Sequence, residues 1–211
     1  MTTVSDTGWQ LVLPVKARTF AKSRLVPPGG VARDDLAHAL ARDTLAAVFA
    51  ALPPVRVVVV TSDVGTAELA HSQGGTVVPD PGAGLNAAVA EGVRVVADRP
   101  ESAVGVLLAD LPALRPDDLA QALAAAARHE RAFVPDAAGT GTVLLTAAAA
   151  WDLVPRFGPG SSGAHARTAA RLDLDLPRLR TDVDDDASLR AAVDLGVGAA
   201  TTSVLSGVAL R

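Results

Sequence analysis

The first 126 residues repeat one pattern four times, in which a short apolar run is followed by a longer stretch with helical character. The apolar runs cover residues 9–15, 55–61, 76–78 and 104–109. Consecutive apolar residues are typical of strands covered on both faces, and parallel strands need a long crossover, usually a helix. The pattern therefore predicts an α/β fold with a doubly wound, mostly parallel sheet flanked by helices.

Proline, glycine and aspartate residues mark the limits of the predicted helices. The first helix begins near Asp34 and stops before Pro53, and the fourth begins at Pro116, which suits a first helical turn. The two helices between them follow Asp63 and begin at Leu85. From residue 132 the pattern changes to a hairpin-like pair of strands over residues 133–136 and 140–146. A helix at 164–172, a strand at 176–180 and a helix at 188–195 follow.

Length and composition limit the class of protein. The 211 residues suit a single domain, residues 1–211, and hydrophobic residues at 49% with aromatics at 3% require a core of Val, Leu and Ala. The net charge of −4 argues against a general nucleic-acid-binding protein, which needs a broad basic surface. The absence of cysteine excludes disulfides and thiolate metal sites. No signal peptide or membrane span is recognised, so we expect a cytoplasmic protein without a membrane partner.

A basic loop follows the first predicted strand. It carries Lys16, Arg18, Lys22 and Arg24, and Lys16 and Lys22 are the only lysines in the chain. At an effective dielectric near 20, a cation about 4 Å from a phosphate oxygen contributes on the order of 4 kcal/mol before desolvation. Four such cations indicate a polyphosphate ligand, and a solvated basic loop is the alternative. The loop is not a glycine-rich phosphate loop, because no glycine lies between Leu11 and Arg24.

Two acidic segments are candidates for a metal site. Asp110 ends the fourth predicted strand, and the carboxyl ends of parallel strands are where ligands bind in such sheets. Mg²⁺ uses one or two protein carboxylates beside substrate phosphates, so Asp182 or Asp184 of the acidic corner could complete the site. The alternative is that these aspartates cap turns or helices.

Glycine-containing turns form the third group of candidates. Residues 156–165 join Gly158, Gly160 and Ser161 to the start of a helix, where backbone N–H groups favour an anion. Residues 140–142 offer similar groups on the neighbouring hairpin, and residues 80–86 form another turn at the start of a helix. Flexible surface loops are the alternative for each.

Taken together, these segments resemble a known family over nearly the whole chain. The motifs are Leu-Pro-Val-Lys at 13–16 with Lys-Ser-Arg-Leu at 22–25, Asp-Pro-Gly-Ala-Gly-Leu-Asn at 80–86, Ala-Asp-Leu-Pro at 109–112, Gly-Thr at 141–142, and Phe-Gly-Pro-Gly-Ser at 157–161 followed by His165. They occur in the order found in the phosphoenolpyruvate/2-phospho-L-lactate guanylyltransferases of deazaflavin coenzyme biosynthesis. That family is similar to the molybdenum-cofactor nucleotidyltransferases, which have a glycosyltransferase-A-like fold.

The resemblance implies a reaction of GTP with a phosphorylated three-carbon acid, with Mg²⁺ as cofactor and pyrophosphate as second product. It implies that the triphosphate is held by Lys16, Lys22 and Arg24, and that the nucleotide is contacted by Leu13, Pro14, Asp80, Gly84 and Asn86. It also implies that the acid is bound by Thr142, Gly158 and Ser161. The metal would be held by Asp110, Asp182 and Asp184. The relatives that handle molybdenum cofactor have a glycine-rich first loop, whereas this chain has Pro14-Val15-Lys16.

Several alternatives stay open at this level. Phosphoenolpyruvate is favoured as acceptor because the Ala- and Arg-rich composition resembles that of the family's bacterial members, and 2-phospho-L-lactate and 3-phospho-D-glycerate are the competing acids. Another nucleotidyltransferase, or a non-catalytic nucleotide-binding module of the same fold, would also fit. The apolar tail at residues 197–210 is expected to pack on the domain or on a second subunit, which leaves a homodimer open.

Overall fold

The computed structural model describes residues 8–16, 25, 27–97 and 103–206. It contains a seven-stranded sheet with the strand order β3-β2-β1-β4-β6-β5-β7. The strands are β1 (Gln10–Pro14), β2 (Val57–Val60), β3 (Thr76–Val78), β4 (Val104–Leu107), β5 (Arg131–Pro135), β6 (Thr142–Ala147) and β7 (Ala170–Arg171). The helices are α1 (Arg33–Ala51), α2 (Val64–Ser72), α3 (Leu85–Ala97), α4 (Pro116–Ala126), α5 (Ser161–His165), α6 (Pro177–Arg180), α7 (Asp186–Leu195) and α8 (Ala199–Leu205).

The predicted mostly parallel sheet is confirmed. Strands β3, β2, β1 and β4 are parallel, and β6 pairs antiparallel with both β4 and β5. The chain moves outward from β1 to β3 and then returns to place β4 on the other side of β1. The direction of winding therefore reverses between β1 and β4, and the crevice at the carboxyl ends of these two strands is where such sheets bind ligands.

Each strand of the central sheet contributes side chains to two cores. Leu11 and Leu13 of β1 pack with α1 and α4 on one face, whereas Val12 packs with α3 on the other. This alternation follows from the two-residue repeat of a strand, and both faces are apolar because helices cover both. The helix α3 lies very close to the sheet at Gly92, where a Cβ atom would collide with Val12 and Val60.

Two short elements differ from the sequence prediction. The helix predicted at 164–172 ends at His165, and residues 170–171 form β7, which pairs with β5. The strand predicted at 176–180 is instead the single-turn helix α6, with Pro177 at its first position. Both predictions were wrong because these segments are too short for local periodicity to decide their conformation against tertiary hydrogen bonds.

The apolar tail packs on the domain through α8, which lies against α1. The carboxylate of Asp43, a buried residue of α1, accepts hydrogen bonds from the backbone N–H groups of Ala200 and Thr201, each at 2.9 Å. These bonds satisfy donors that a helix start leaves without an intrahelical partner. Within the described ranges, no helix combines the length and apolar character that crossing a membrane requires.

Candidate active site

The candidate site lies at the carboxyl edge of the sheet, around the ends of β1 and β4. Lys16 is exposed two residues beyond β1, whereas Leu13 and Pro14 are buried within that strand and pair with Val59 and Val60. The predicted nucleotide contacts of Leu13 and Pro14 can therefore come only from their backbone or through the loop that they orient. Lys22 and Arg24, and with them Arg18, lie outside the described residues.

Three carboxylates meet beside the end of β4. Asp110, Asp182 and Asp184 each offer an oxygen atom, and these three atoms lie within 4.8 Å of one another. The backbone N–H of Val183 donates to the carbonyl oxygen of Asp110 at 3.0 Å. Val183 itself is fully buried against Leu36 and the other apolar residues of its cluster, so it fixes the segment that carries the two flanking aspartates.

The electrostatics of this carboxylate triad favour a bound cation. Burial, followed by the negative charges of Asp110, Asp184 and Asp136, raises the pKa of Asp182 to about 7. A hard divalent cation would offset this repulsion, and carboxylate oxygens are the ligands that Mg²⁺ takes in proteins. The donor set therefore fits Mg²⁺.

The other acidic residues of the corner have a different role at the start of α7. The Asp185 carboxylate accepts from the backbone N–H of Ser188 at 2.8 Å, and the Ser188 hydroxyl is 3.0 Å from the backbone nitrogen of Asp185. The bonds that the Ser188 backbone N–H and hydroxyl donate to the Asp185 carboxylate lower the pKa of Asp185. In the acidic corner, Asp182 and Asp184 thus lie beside Asp110, whereas Asp185 caps α7. The sequence did not distinguish these two roles.

Thr44 supports the turn that carries Asp110, and sequence reasoning assigned it no role. Its hydroxyl donates to the carbonyl oxygen of Leu40 and accepts from the backbone N–H of Leu111, both at 3.0 Å. Pro112 then accepts from the backbone N–H of Gly198 at 2.9 Å. Thr44 is fully buried, and a threonine within the apolar stripe of the first helix is the sequence signal that could have found it.

Thr142 opens β6 at the same edge, next to a turn that Asp136 organises. The two carboxylate oxygens of Asp136 accept from the backbone N–H groups of Thr140 and Gly141, at 2.9 and 2.8 Å. Gly141 is required here because a Cβ atom would come within 2.5 Å of the Asp136 carboxylate. The carbonyl oxygen of Thr140 accepts from the N–H of Ser162 at 3.1 Å, which joins this turn to the 158–162 loop.

Gly158 and Ser161 lie on that loop. Gly158 has a φ of 135° and Gly160 a φ of 73°, which are backbone conformations that favour glycine. The loop leads directly into α5, where Ser161 is the first residue and is buried. The structure therefore brings Thr142, Gly158 and Ser161, the three predicted acid-binding residues, onto two segments that are hydrogen-bonded to each other.

The predicted nucleotide turn at 80–86 contacts the same loop through Asn86. The Asn86 amide nitrogen donates to the carbonyl oxygen of Phe157 at 3.0 Å, and its amide oxygen accepts from the Phe157 N–H at 2.8 Å. Asp80 accepts from the N–H of Gly82 at 2.8 Å, and Gly84 has a φ of 93° beside open space. Asn86 thus connects the predicted nucleotide turn with the 158–162 loop, which is the predicted acid-binding loop. The nucleotide contacts of Asp80, Gly84 and Asn86 remain predictions.

Comparison with known proteins assigns the family. The MobA-like NTP transferase domain matches residues 37–176. A phosphoenolpyruvate guanylyltransferase of Streptomyces coelicolor is 51% identical over 202 residues, which cover 93% of this chain and 95% of the relative. A relative with the same name from Thermomonospora curvata is 46% identical, over 95% of this chain and 90% of its own length. Another from Geodermatophilus obscurus is also 46% identical, over 98% of each chain.

Solved structures share the fold at low sequence identity. Rv0371c of Mycobacterium tuberculosis superposes with a TM-score of 0.55 at 18% identity, over 92% of this chain and 100% of that one. A crystal structure of Rv0371c with manganese gives a TM-score of 0.52 at 19% identity, over 89% and 100% of the two chains. A cytidylyltransferase of Leptospira borgpetersenii gives 0.54 at 12% identity, over 84% and 82%. These likenesses support the α/β fold described above.

Proposed function

The chain belongs to the phosphoenolpyruvate guanylyltransferase family of MobA-like nucleotidyltransferases, and on that premise we propose that it transfers GMP from GTP to phosphoenolpyruvate. The products are enolpyruvyl-diphospho-guanosine and pyrophosphate. The observation that carries the proposal is the position of the carboxylate triad, Asp110, Asp182 and Asp184. It lies at the same sheet edge as Lys16 on one side and Thr142 on the other.

The two sides of the crevice take different parts of the reaction. Lys16, together with Lys22 and Arg24 of the same loop, binds the triphosphate and offsets the charge of the departing pyrophosphate. Thr142, Gly158 and Ser161 bind the phosphate and carboxylate of the acid. The turn at residues 80–86 adjoins the guanosine.

The bond changes require no protein nucleophile. A phosphate oxygen of phosphoenolpyruvate attacks the α-phosphorus of GTP, and the bond from that phosphorus to the bridging oxygen of the β-phosphate breaks. The bonding electrons leave with pyrophosphate. A phosphate monoester is largely dianionic at neutral pH, since its second pKa is about 6, so no general base is required to ionise the attacking group. The protein contributes positioning and charge stabilisation.

A divalent cation held by the triad would supply positive charge beside the phosphates. Mg²⁺ is our proposal for the resident ion, on the basis of the hard oxygen donor set and the resemblance. The carboxylates of Asp110, Asp182 and Asp184 would hold the ion, and the hydrogen bond between Val183 and Asp110 keeps the two segments of the site together.

The test is pyrophosphate release from GTP with each candidate acid in turn. We expect turnover with phosphoenolpyruvate, and the guanylylated product is identified by mass spectrometry. Parallel reactions contain 2-phospho-L-lactate or 3-phospho-D-glycerate, and others contain ATP or CTP in place of GTP. A higher kcat/KM with another acid or nucleotide would reassign the substrate, and GTP binding without any turnover would indicate a non-catalytic module.

A further inference from the structure

His165 is a buried histidine that joins the acid-binding loop to Thr142. Its ring is only 1% exposed, with Nε2 at 3.0 Å from the backbone nitrogen of Arg156 and Nδ1 at 2.9 Å from Oγ1 of Thr142. The rings of Phe133 and Phe157 enclose it, at centroid distances of 5.9 and 5.2 Å. Burial, followed by the positive charge of Arg156, lowers the pKa of His165 to about 4, so the ring is neutral at pH 7.

The hydrogen-bond network determines the tautomer of this neutral ring. The backbone N–H of Arg156 can only donate, so Nε2 must accept and carries no proton. A neutral imidazole has one proton, which is therefore on Nδ1. Nδ1–H donates to Oγ1 of Thr142, and the Thr142 hydroxyl is the acceptor in this bond.

The direction of the hydrogen bond between His165 and Thr142 determines which groups the Thr142 hydroxyl can bind. A hydroxyl that accepts from a fixed donor keeps its single proton for another partner. Thr142 lies at the carboxyl edge of the sheet, at the first residue of β6. Its hydroxyl is thereby prepared to donate to an oxygen that bears no proton, such as an oxygen of an ionised phosphate or carboxylate.

We propose that His165 is a positioning residue for the phospho-acid, which orients the Thr142 hydroxyl as a donor and holds it against the loop that contains Gly158 and Ser161. The proposal rests on the proposed function, since it requires that this pocket binds the acid. His165 lies on α5, which begins at Ser161, and its second bond is to Arg156 at the other end of the loop. The His165 ring therefore joins the two acid-binding segments through side-chain bonds, in addition to the backbone bond between Ser162 and Thr140.

The first test is a set of kinetic variants. His165→Phe keeps a flat ring in the space and removes both hydrogen bonds. We expect the KM for phosphoenolpyruvate to rise about tenfold while the KM for GTP is unchanged, since a hydrogen bond to a charged group contributes roughly that factor or more. His165→Asn, which retains an N–H donor near the position of Nδ1, should restore part of the loss. His71→Gln, an exposed histidine of α2, is the matched control and should leave both KM values unchanged.

A double-mutant cycle separates positioning from general packing. In a Thr142→Val background, His165→Phe should cause no further rise in the KM for phosphoenolpyruvate, because the hydroxyl that it orients is gone. Equal increases in both KM values, or effects that multiply in the cycle, would overturn the proposal.

A measurement on the unaltered protein keeps the proposal testable if a variant does not fold. The long-range ¹H–¹⁵N NMR spectrum of the histidine side chains distinguishes an Nδ1–H ring from an Nε2–H ring and from imidazolium. We expect Nδ1–H for His165 at pH 7, and either other form would overturn the proposal. This spectrum requires no substrate, so the absence of turnover with any phospho-acid would count against the proposed function and not against the tautomer.

Discussion

Val183 donates its backbone N–H to the carbonyl oxygen of Asp110 at 3.0 Å, and this bond joins the segment after β4 to the acidic corner that precedes α7. It places the carboxylates of Asp182 and Asp184 beside that of Asp110. Asp110 lies far from Asp182 and Asp184 in the sequence, so the assembly of the three carboxylates is a property of the fold. Four predictions follow from this site and the network around it.

The triad should be necessary for turnover. Asp110→Asn should lower kcat by at least about a hundredfold, because it removes a charged ligand from the metal that offsets charge on the phosphates. Asp185→Asn is the matched control within the acidic corner, since asparagine caps a helix as well as aspartate does. It should retain near-normal kcat in the pyrophosphate-release assay. If Asp185→Asn loses as much activity as Asp110→Asn, the division of the corner between metal site and cap is wrong.

Cation binding should stabilise the protein through the same residues. An ion that binds only the folded state adds about 2.7 kcal/mol at a concentration of 100 Kd, so Mg²⁺ or Mn²⁺ should raise the Tm. Asp182→Asn should abolish this rise. In the absence of metal, the same variant should be at least as stable as the unaltered protein, because repulsion from Asp110 and Asp184 is removed. Thermal unfolding with and without metal tests both statements. A metal-dependent rise in Tm that persists in Asp182→Asn would contradict the first, and a lower Tm of this variant without metal would contradict the second.

Asn86 should control the acid-binding loop through its two hydrogen bonds to Phe157. Asn86→Asp keeps the acceptor for the Phe157 N–H but places a carboxylate oxygen against the Phe157 carbonyl. Because two acceptors then face each other, we expect the KM for phosphoenolpyruvate to rise about tenfold. Gln73→Glu makes the same amide-to-acid change at an exposed position after α2 and should leave kinetics unchanged. An Asn86→Asp enzyme with a normal KM for the acid would show that the loop does not depend on this contact.

His165 should make stability fall as the pH falls. Its pKa is lowered from 6.5 to about 4 in the folded protein, by burial and then by Arg156, so between these values only the unfolded chain binds the proton. The contribution of His165 to the free energy of unfolding is therefore fully present above pH 6.5 and is lost as the pH falls towards 4. The loss amounts to about 3 kcal/mol at 1.36 kcal/mol per pKa unit. Asp152 and Arg131 line the small cavity beside the ring together with Arg156.

Chemical denaturation over a pH series measures this linkage. The free energy of unfolding should decrease less between pH 6.5 and 4 in His165→Phe than in the unaltered protein. The difference between the two curves isolates the effect of His165, because the carboxylates titrate in both proteins. Parallel curves would show that His165 is protonated equally in the folded and unfolded states.

The sequence by itself determined the order of strands and helices through residue 126. Runs of valine and leucine are apolar on consecutive residues, and Pro53 and Pro116 mark a helix end and a helix start that agree with α1 and α4. These signals are local, because a strand covered on both faces and a helix boundary are each encoded within a few neighbouring residues. The position of Asp110 just after β4 followed directly from that order.

The tertiary structure decided which conformations the short segments after β6 adopt and which aspartates of the acidic corner lie beside Asp110. Residues 170–171 become β7 because they pair with β5, and Arg180 ends α6 with guanidinium bonds to the carbonyl oxygens of Pro135 and Asp136. Likewise, the contact with Asp110 selects Asp182 and Asp184, whereas Asp185 caps a helix. Such choices depend on hydrogen bonds between residues far apart in the chain, for which the periodicity and composition of a short segment carry no information.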